Sequence, residues 1–137
     1  MSINNYQGEY MSYPADRFYH GDHMWLLLES NGDALIGITF FAQDTLGDIV
    51  EINHPNKSSM VTKGVACGSI ESRKAVSDIV SPISGVVIEV NDALTTEPFL
   101  MNDEPYKKGW IARIRLANPL NDLDLMDAEQ YRTHVGE

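Results

Sequence analysis

The stretch Val65-Ala66-Cys67-Gly68-Ser69-Ile70-Glu71-Ser72-Arg73-Lys74-Ala75-Val76-Ser77-Asp78-Ile79-Val80-Ser81-Pro82-Ile83-Ser84-Gly85 decides the fold. It holds two short runs rich in β-branched residues, 65–71 and 75–80, separated by polar Ser72, Arg73 and Lys74. Such a pattern predicts a β-hairpin with Lys74 at its tip. Val65, Ile70, Val76, Ile79 and Val80 supply stiffness, because branching at Cβ restricts χ1 and suits a pleated strand. Glu71, Ser72, Arg73 and Ser77 are expected to keep the tip in water.

Working outward, strands are predicted over 24–29, 34–38, 48–53 and 86–91. Ser30-Asn31-Gly32-Asp33 supplies the turn between the first two. Thr39 is placed to cap a short helix through Phe40, Phe41, Ala42 and Gln43, which Gly47 ends. Residues 55–59 read as a loop and 60–64 as a short strand and turn. Asn91 or Asp92 caps one helical turn, and Glu97-Pro98 opens another. Ile111, Ile114 and Leu116 mark the strand at 110–116, with Arg113 and Arg115 as its polar members, and Asn118-Pro119 breaks it. Asp127 and Gln130 have capping-box spacing, so a helix is predicted over 128–135.

One internal echo bears on architecture. Gly47-Asp48-Ile49-Val50-Glu51-Ile52-Asn53 resembles Gly85-Val86-Val87-Ile88-Glu89-Val90-Asn91, and Lys74 falls between the copies. Two similar strand units flanking a projecting hairpin suggest a pseudo-symmetric pair of small sheets. Two copies are too few for a solenoid; a compact β-sandwich or flattened barrel fits better. The expected organisation is a flexible N-terminal arm, 1–15, and one domain, 16–137.

With 137 residues the chain can bury a sizeable core. Ten Lys and Arg against twenty Asp and Glu give a net charge of −10, which repels phosphate backbones and argues against nucleic acid. The same surface suits partners with basic docking faces. No window approaches the roughly 20 apolar residues of a membrane span, and the N-terminus has no signal-peptide character. A single cysteine excludes an internal disulfide framework and fits a reducing cytoplasm. A monomer is expected.

A lysine on a narrow, stiff finger can be reached by a modifying enzyme and inserted into another protein's active site. That makes Lys74 a candidate acceptor for a covalently attached carrier group. A lysine ammonium in water is protonated at neutral pH, so acylation requires an enzyme and an activated acyl donor. The plainer reading is a solvated turn lysine.

The wider pattern strengthens the carrier reading. The run from Glu71 to Gly85 resembles the lipoylation site of the glycine cleavage system H protein family. Further matches follow in the same order: His23-Met24-Trp25, Gly37-Ile38-Thr39 with Ala42-Gln43, and Leu46-Gly47-Asp48-Ile49-Val50. Later come Glu89-Val90-Asn91-Asp92-Ala93-Leu94, Pro98 with Leu100, Asn102, Pro105 and Tyr106, then Gly109-Trp110 and Leu125-Met126-Asp127-Ala128-Glu129-Gln130-Tyr131. The resemblance implies a mainly β, lipoyl-type barrel-sandwich hybrid with short helices and a C-terminal helix. It implies lipoate in amide linkage to Lys74, placed there by a lipoate-protein ligase or lipoyl transferase. That enzyme would read Glu71, Ser72, Arg73, Ala75, Ser77 and Asp78.

The partners implied are a pyridoxal-phosphate decarboxylase, a folate-dependent aminomethyltransferase and a dihydrolipoyl dehydrogenase, between which an aminomethyl unit and redox equivalents pass. Several positions depart from the family pattern: Arg73 before the lysine, Cys67 near the tip, and the segment Ile52-Asn53-His54-Pro55-Asn56-Lys57. They leave open a second role, an H-like lipoate-binding protein carrying sulfur or redox equivalents beside a heterodisulfide-reductase-like complex.

Other residues carry less. Cys67, among apolar neighbours, reads as a packed strand residue; the sharper alternative is a thiol that exchanges with the lipoyl disulfide. His20-Gly21-Asp22-His23 matches no zinc pattern with enough ligands, and no metal is expected. His23 is expected near Trp25, and the resemblance suggests it lines a groove beside the lipoyl arm. Trp25 and Trp110 read as core anchors. Glu51 and Glu89 lie on the polar sides of their strands. No nucleophile, base and orienter fall at workable spacing, so no catalytic residue is expected. An unmodified binding module remains the alternative of a different class, distinguished by the absence of any acyl gain.

Overall fold

The computed structural model describes residues 12–120 and 124–137; most of the expected arm, 1–11, lies outside them. Among the described residues the chain is mainly β, in two antiparallel sheets. The larger sheet has strand order β1-β2-β3-β9-β8-β5, built from β1 (Phe18–His20), β2 (Met24–Leu28), β3 (Asp33–Ile38), β9 (Ala112–Leu116), β8 (Gly85–Val90) and β5 (Met60–Val61). The smaller has order β4-β6-β7, from β4 (Ile49–Asn53), β6 (Ala66–Ser72) and β7 (Val76–Val80). Four short helices complete the described elements: α1 (Phe40–Leu46), α2 (Ala93–Thr96), α3 (Leu100–Asp103) and α4 (Ala128–His134). The strand β1 has no counterpart in the sequence reading. At three residues it is too short for an alternation to show.

The central core is aliphatic. Ile52, Ile70 and Ile79 from the small sheet meet Ile36, Val87 and Ile114 from the large one, all buried in one cluster. A second, aromatic cluster of Tyr13, Tyr19, Trp25, Tyr106 and Tyr131 packs elsewhere on the large sheet. The run Met24-Trp25-Leu26 is apolar without alternation because β2 is covered on both faces: Met24 joins the aliphatic core and Trp25 the aromatic one. Trp25 also donates its indole N–H to the Pro105 carbonyl at 3.0 Å, which satisfies its one polar atom. Trp110 is half-buried against the aromatic cluster.

The end of the predicted arm is packed. Tyr13 is 3% exposed, and its hydroxyl lies 3.0 Å from Glu137 Oε2. Its ring meets Tyr131 at 5.5 Å between centres.

The internal echo has a backbone counterpart. β4 slips register against β6 between Ile49 and Glu51. β8 slips against β9 between Val87 and Glu89. Both are bulges of one extra residue, at the same 38-residue offset (49 to 87, 51 to 89). The bulge explains why Ile49 and Ile52, three apart, both face inward. The copies lie in different sheets, in keeping with the pseudo-symmetric pair read from sequence.

Candidate functional site

The hairpin forms as predicted, with Lys74 in its turn. Ser72 N–H donates to the Ala75 carbonyl at 2.8 Å and closes the two strands. Lys74 is exposed at this tip. The expectation that Ser72 faces water is corrected: it is only 5% exposed. Its hydroxyl accepts from Lys74 N at 3.3 Å and Ala75 N at 3.1 Å. A serine folded under its own turn satisfies backbone donors that the tight connection leaves unpaired. Ser72 is therefore a clip rather than a solvated side chain.

The tip rests on the turn between α1 and β4. Thr39 caps α1, its hydroxyl accepting from Ala42 N at 3.2 Å. Gly47 ends the helix at φ 78° and ψ −155°, a region essentially reserved for glycine. A methyl group at Gly47 would lie 3.8 Å from Lys74 Cε, so the lysine stem passes over this bare backbone. Asp48 O accepts from Arg73 N at 3.0 Å. Arg73 and Asp48 also face each other at 3.6 Å, but at 76% and 82% exposure this ion pair contributes little. Behind the turn stands Asn102, whose amide N–H groups donate to Gly47 O at 2.8 Å and Gln43 Oε1 at 3.1 Å. Its oxygen accepts from Ile49 N at 2.9 Å.

On the outward face of the small sheet Glu71 stands directly opposite Glu51 on β4 and Val76 on β7. Val76 is 68% exposed. Asp78 and Ala75 are also exposed, whereas Ser77 is half-buried. Glu89, by contrast, is ion-paired with Arg113 on the neighbouring strand.

The remaining candidates lie apart from the tip. Cys67 is the extra residue of a third bulge, between Ala66 and Gly68 on β6. It is half-buried against the aliphatic core, its thiol directed at the Ile79 carbonyl at 3.4 Å. Burial pushes that thiol up from its ordinary value, which disfavours the thiolate an exchange reaction needs. His23 adopts φ 69°, and its ring partners are Phe41 at 4.7 Å, Tyr131 and His134. Its Nδ1 lies 2.7 Å from the Tyr131 hydroxyl, itself 2.8 Å from Thr39 Oγ1. Burial, then the neighbouring His134, holds His23 below its ordinary value. His23 therefore touches the first turn of α1, whereas Lys74 lies over the residue that ends it, about 9 Å further along the helix axis. His20 pairs with Asp22 at 3.3 Å, and no group of three or more metal-ligating side chains occurs among the described residues.

Sequence assigns no role at the tip to Asn102 or to Gly47. Residue type alone could not reveal that Asn102 braces the Gly47 turn beneath Lys74, since the contact is made by the return of α3 to the end of α1.

A two-sheet β domain that raises one lysine on a clipped hairpin has the form of a covalent carrier domain. Comparisons with known proteins name the kind. The family described as Glycine cleavage H-protein matches residues 17–137. The chain is 46% identical over 123 residues to the glycine cleavage system H protein of Thermus thermophilus, covering 89% of this chain and 94% of that protein. It is 42% identical over 122 residues to that of Marinobacter nauticus, covering 89% and 94%. A crystal structure of a glycine cleavage system H protein from Mycobacterium marinum superposes with a TM-score of 0.83 at 33% identity, covering 90% of this chain and 99% of that one. The chain belongs to the glycine cleavage H-protein family, whose members carry a lipoate covalently attached to a lysine and are carriers rather than catalysts.

Proposed function

We propose that Lys74 is the lipoyl-bearing lysine of this chain, and that the loaded protein shuttles an aminomethyl unit and redox equivalents among the enzymes of a glycine cleavage system. The observation that carries the reading is the exposed amine on a tip whose backbone is clipped from below by Ser72. The group would be joined through an amide at Nζ. That bond forms as the acyl carbon leaves its activating group and the Nζ proton passes to solvent. A lipoyl dithiolane held there supplies a disulfide that opens to take a one-carbon unit and closes again on oxidation of the dithiol.

The chain's own part is presentation. Ser72 fixes the turn, while the β-branched strands and inter-sheet core hold the hairpin rigid. The lysine stem leaves the surface over Gly47, where no side chain obstructs it. A tether of this kind keeps its cargo at roughly millimolar effective concentration in each docked site. The exposed valine and carboxylates beside the tip suit a partner surface with a basic rim. Pyridoxal-phosphate decarboxylase, folate-dependent aminomethyltransferase and dihydrolipoyl dehydrogenase are the partner classes this reading requires.

The test is direct. Incubated with lipoate-protein ligase, lipoate and ATP, the intact protein should gain one lipoyl group, and Lys74→Arg should gain none. Acylation of another lysine would overturn the assignment. Loaded protein should then support glycine–CO2 exchange with the decarboxylase. Inertness there, together with binding of sulfane sulfur, would replace the one-carbon cargo by sulfur.

A further inference from the structure

We infer that Asn102 is a positioning residue for the modification of Lys74; the inference rests on the Lys74 reading given above. Asn102 belongs to α3, and its side-chain hydrogen bonds described above go to residues outside the hairpin. Its side chain is committed to a neighbouring segment: the Nδ2 group holds Gly47 O and Gln43 Oε1, and Oδ1 holds the Ile49 amide. One amide therefore grips the connection between α1 and β4 from both ends.

That connection is the seat of the tip. Asp48 O receives the Arg73 amide, and the Lys74 stem lies over Gly47. Arg73, the residue before Lys74, is thus tied to the body of the domain through Asp48, on either side of which Asn102 makes its bonds to Gly47 and Ile49. Gly47 takes this conformation without strain, but glycine has many others open to it, so its determination must come from surrounding groups. Asn102 supplies that determination. Without it the Gly47 carbonyl and the Ile49 amide lose these partners, and the seat acquires freedom that the tip inherits.

The kinetic consequence is specific. The reacting amine and its acyl donor are unchanged, so the bond-forming step is unchanged. What is lost is prior ordering of the tip, which the modifying enzyme must then supply on binding. A loss expressed equally in ground state and transition state raises KM and leaves kcat alone.

The experiment compares lipoylation kinetics of the full-length wild type, Asn102→Ala, Asn102→Asp and Asn91→Ala, with lipoate-protein ligase, lipoate and ATP. Asn91 is a matched control. It too makes three side-chain bonds, to Lys108 O, Trp110 O and Ala93 N, but none to residues 47–49. Asn102→Asp keeps the volume and the acceptor for Ile49 while removing the donor to Gly47, and serves if the alanine variant does not fold. Asn102 variants should show about a tenfold rise in KM at unchanged kcat, with faster hydrogen exchange at the Arg73 amide. Asn91→Ala should lower Tm without either change. A KM equal to wild type in both Asn102 variants, or the same rise in Asn91→Ala, overturns the positioning role alone. Failure of the wild type to be modified at Lys74 overturns the Lys74 reading, and the inference with it.

Discussion

Gly47→Ala isolates the seat of the tip from the tip itself. The substitution adds one methyl group at a residue with φ 78° and ψ −155°. Contact is not the obstacle, since the new carbon would meet Lys74 Cε at 3.8 Å, ordinary van der Waals distance. The penalty is backbone strain, of about 1–3 kcal/mol for an L-residue held in a sparsely populated region. Alanine also narrows the unfolded ensemble, which returns about 0.4–1 kcal/mol to the folded state. A net loss of about 1–2 kcal/mol is expected, or about 3–8 °C in Tm for a domain of this size. Urea unfolding at pH 7.5 measures it, with Gly21→Ala as control. Gly21 does not have positive φ, and its added carbon would meet only His134, at 3.6 Å. The control should stay within about 0.5 kcal/mol of wild type. A Gly47→Ala protein as stable as the control would show that the helix end relaxes freely, and would refute the over-determined seat.

Tyr131→Phe removes a hydroxyl that joins His23 to Thr39 in a buried site; a loss of about 1–3 kcal/mol is expected from the urea midpoint, with the sheets intact by circular dichroism. Stability should fall with acid in part through His23. Its folded-state pKa lies below the ordinary 6.5, so the unfolded chain takes up the proton more readily. The His23 contribution is therefore complete above about pH 6.5 and is lost as pH falls toward the folded value. His23→Asn, which tolerates the left-handed backbone, should flatten the acid limb of a stability–pH curve; an unchanged slope would assign that limb elsewhere. Cys67→Ser should leave lipoylation rates unchanged, because Cys67 lies five residues down the strand from Ser72, about 17 Å from the tip. A large fall in modification would make the thiol part of the recognised surface.

Most of the framework is legible in sequence because it follows from local rules. Thr39 with Ala42, Gly47 at the helix end, and the Asp127–Gln130 box all stand where capping chemistry puts them. The hairpin is readable because branched residues flank a polar turn. Asn91 rather than Asp92 caps α2 with its side chain, through Ala93 N at 3.3 Å, a choice that sequence left open. What could not be read is whatever depends on the return of distant chain. Ser72 is a polar residue beside a turn, and only the closed hairpin shows its hydroxyl folded inward. Tyr13 is a tyrosine in a polar arm until α4 arrives to pack against it. His23 likewise finds Phe41 and Tyr131 only in the assembled sheet.

The matched bulges have a consequence for how the chain can vary. Each copy breaks step once, at one residue, and the strand beyond that residue is already in its final phase. Adding a residue between 49 and 52 would turn Ile52 outward, and between 87 and 90 would do the same to Val90, whereas removing the extra residue would only restore plain alternation. Because the copies pair with different neighbours, neither could absorb the other's error. Insertions are therefore confined to the connections, such as 54–59, and do not lengthen either offbeat step.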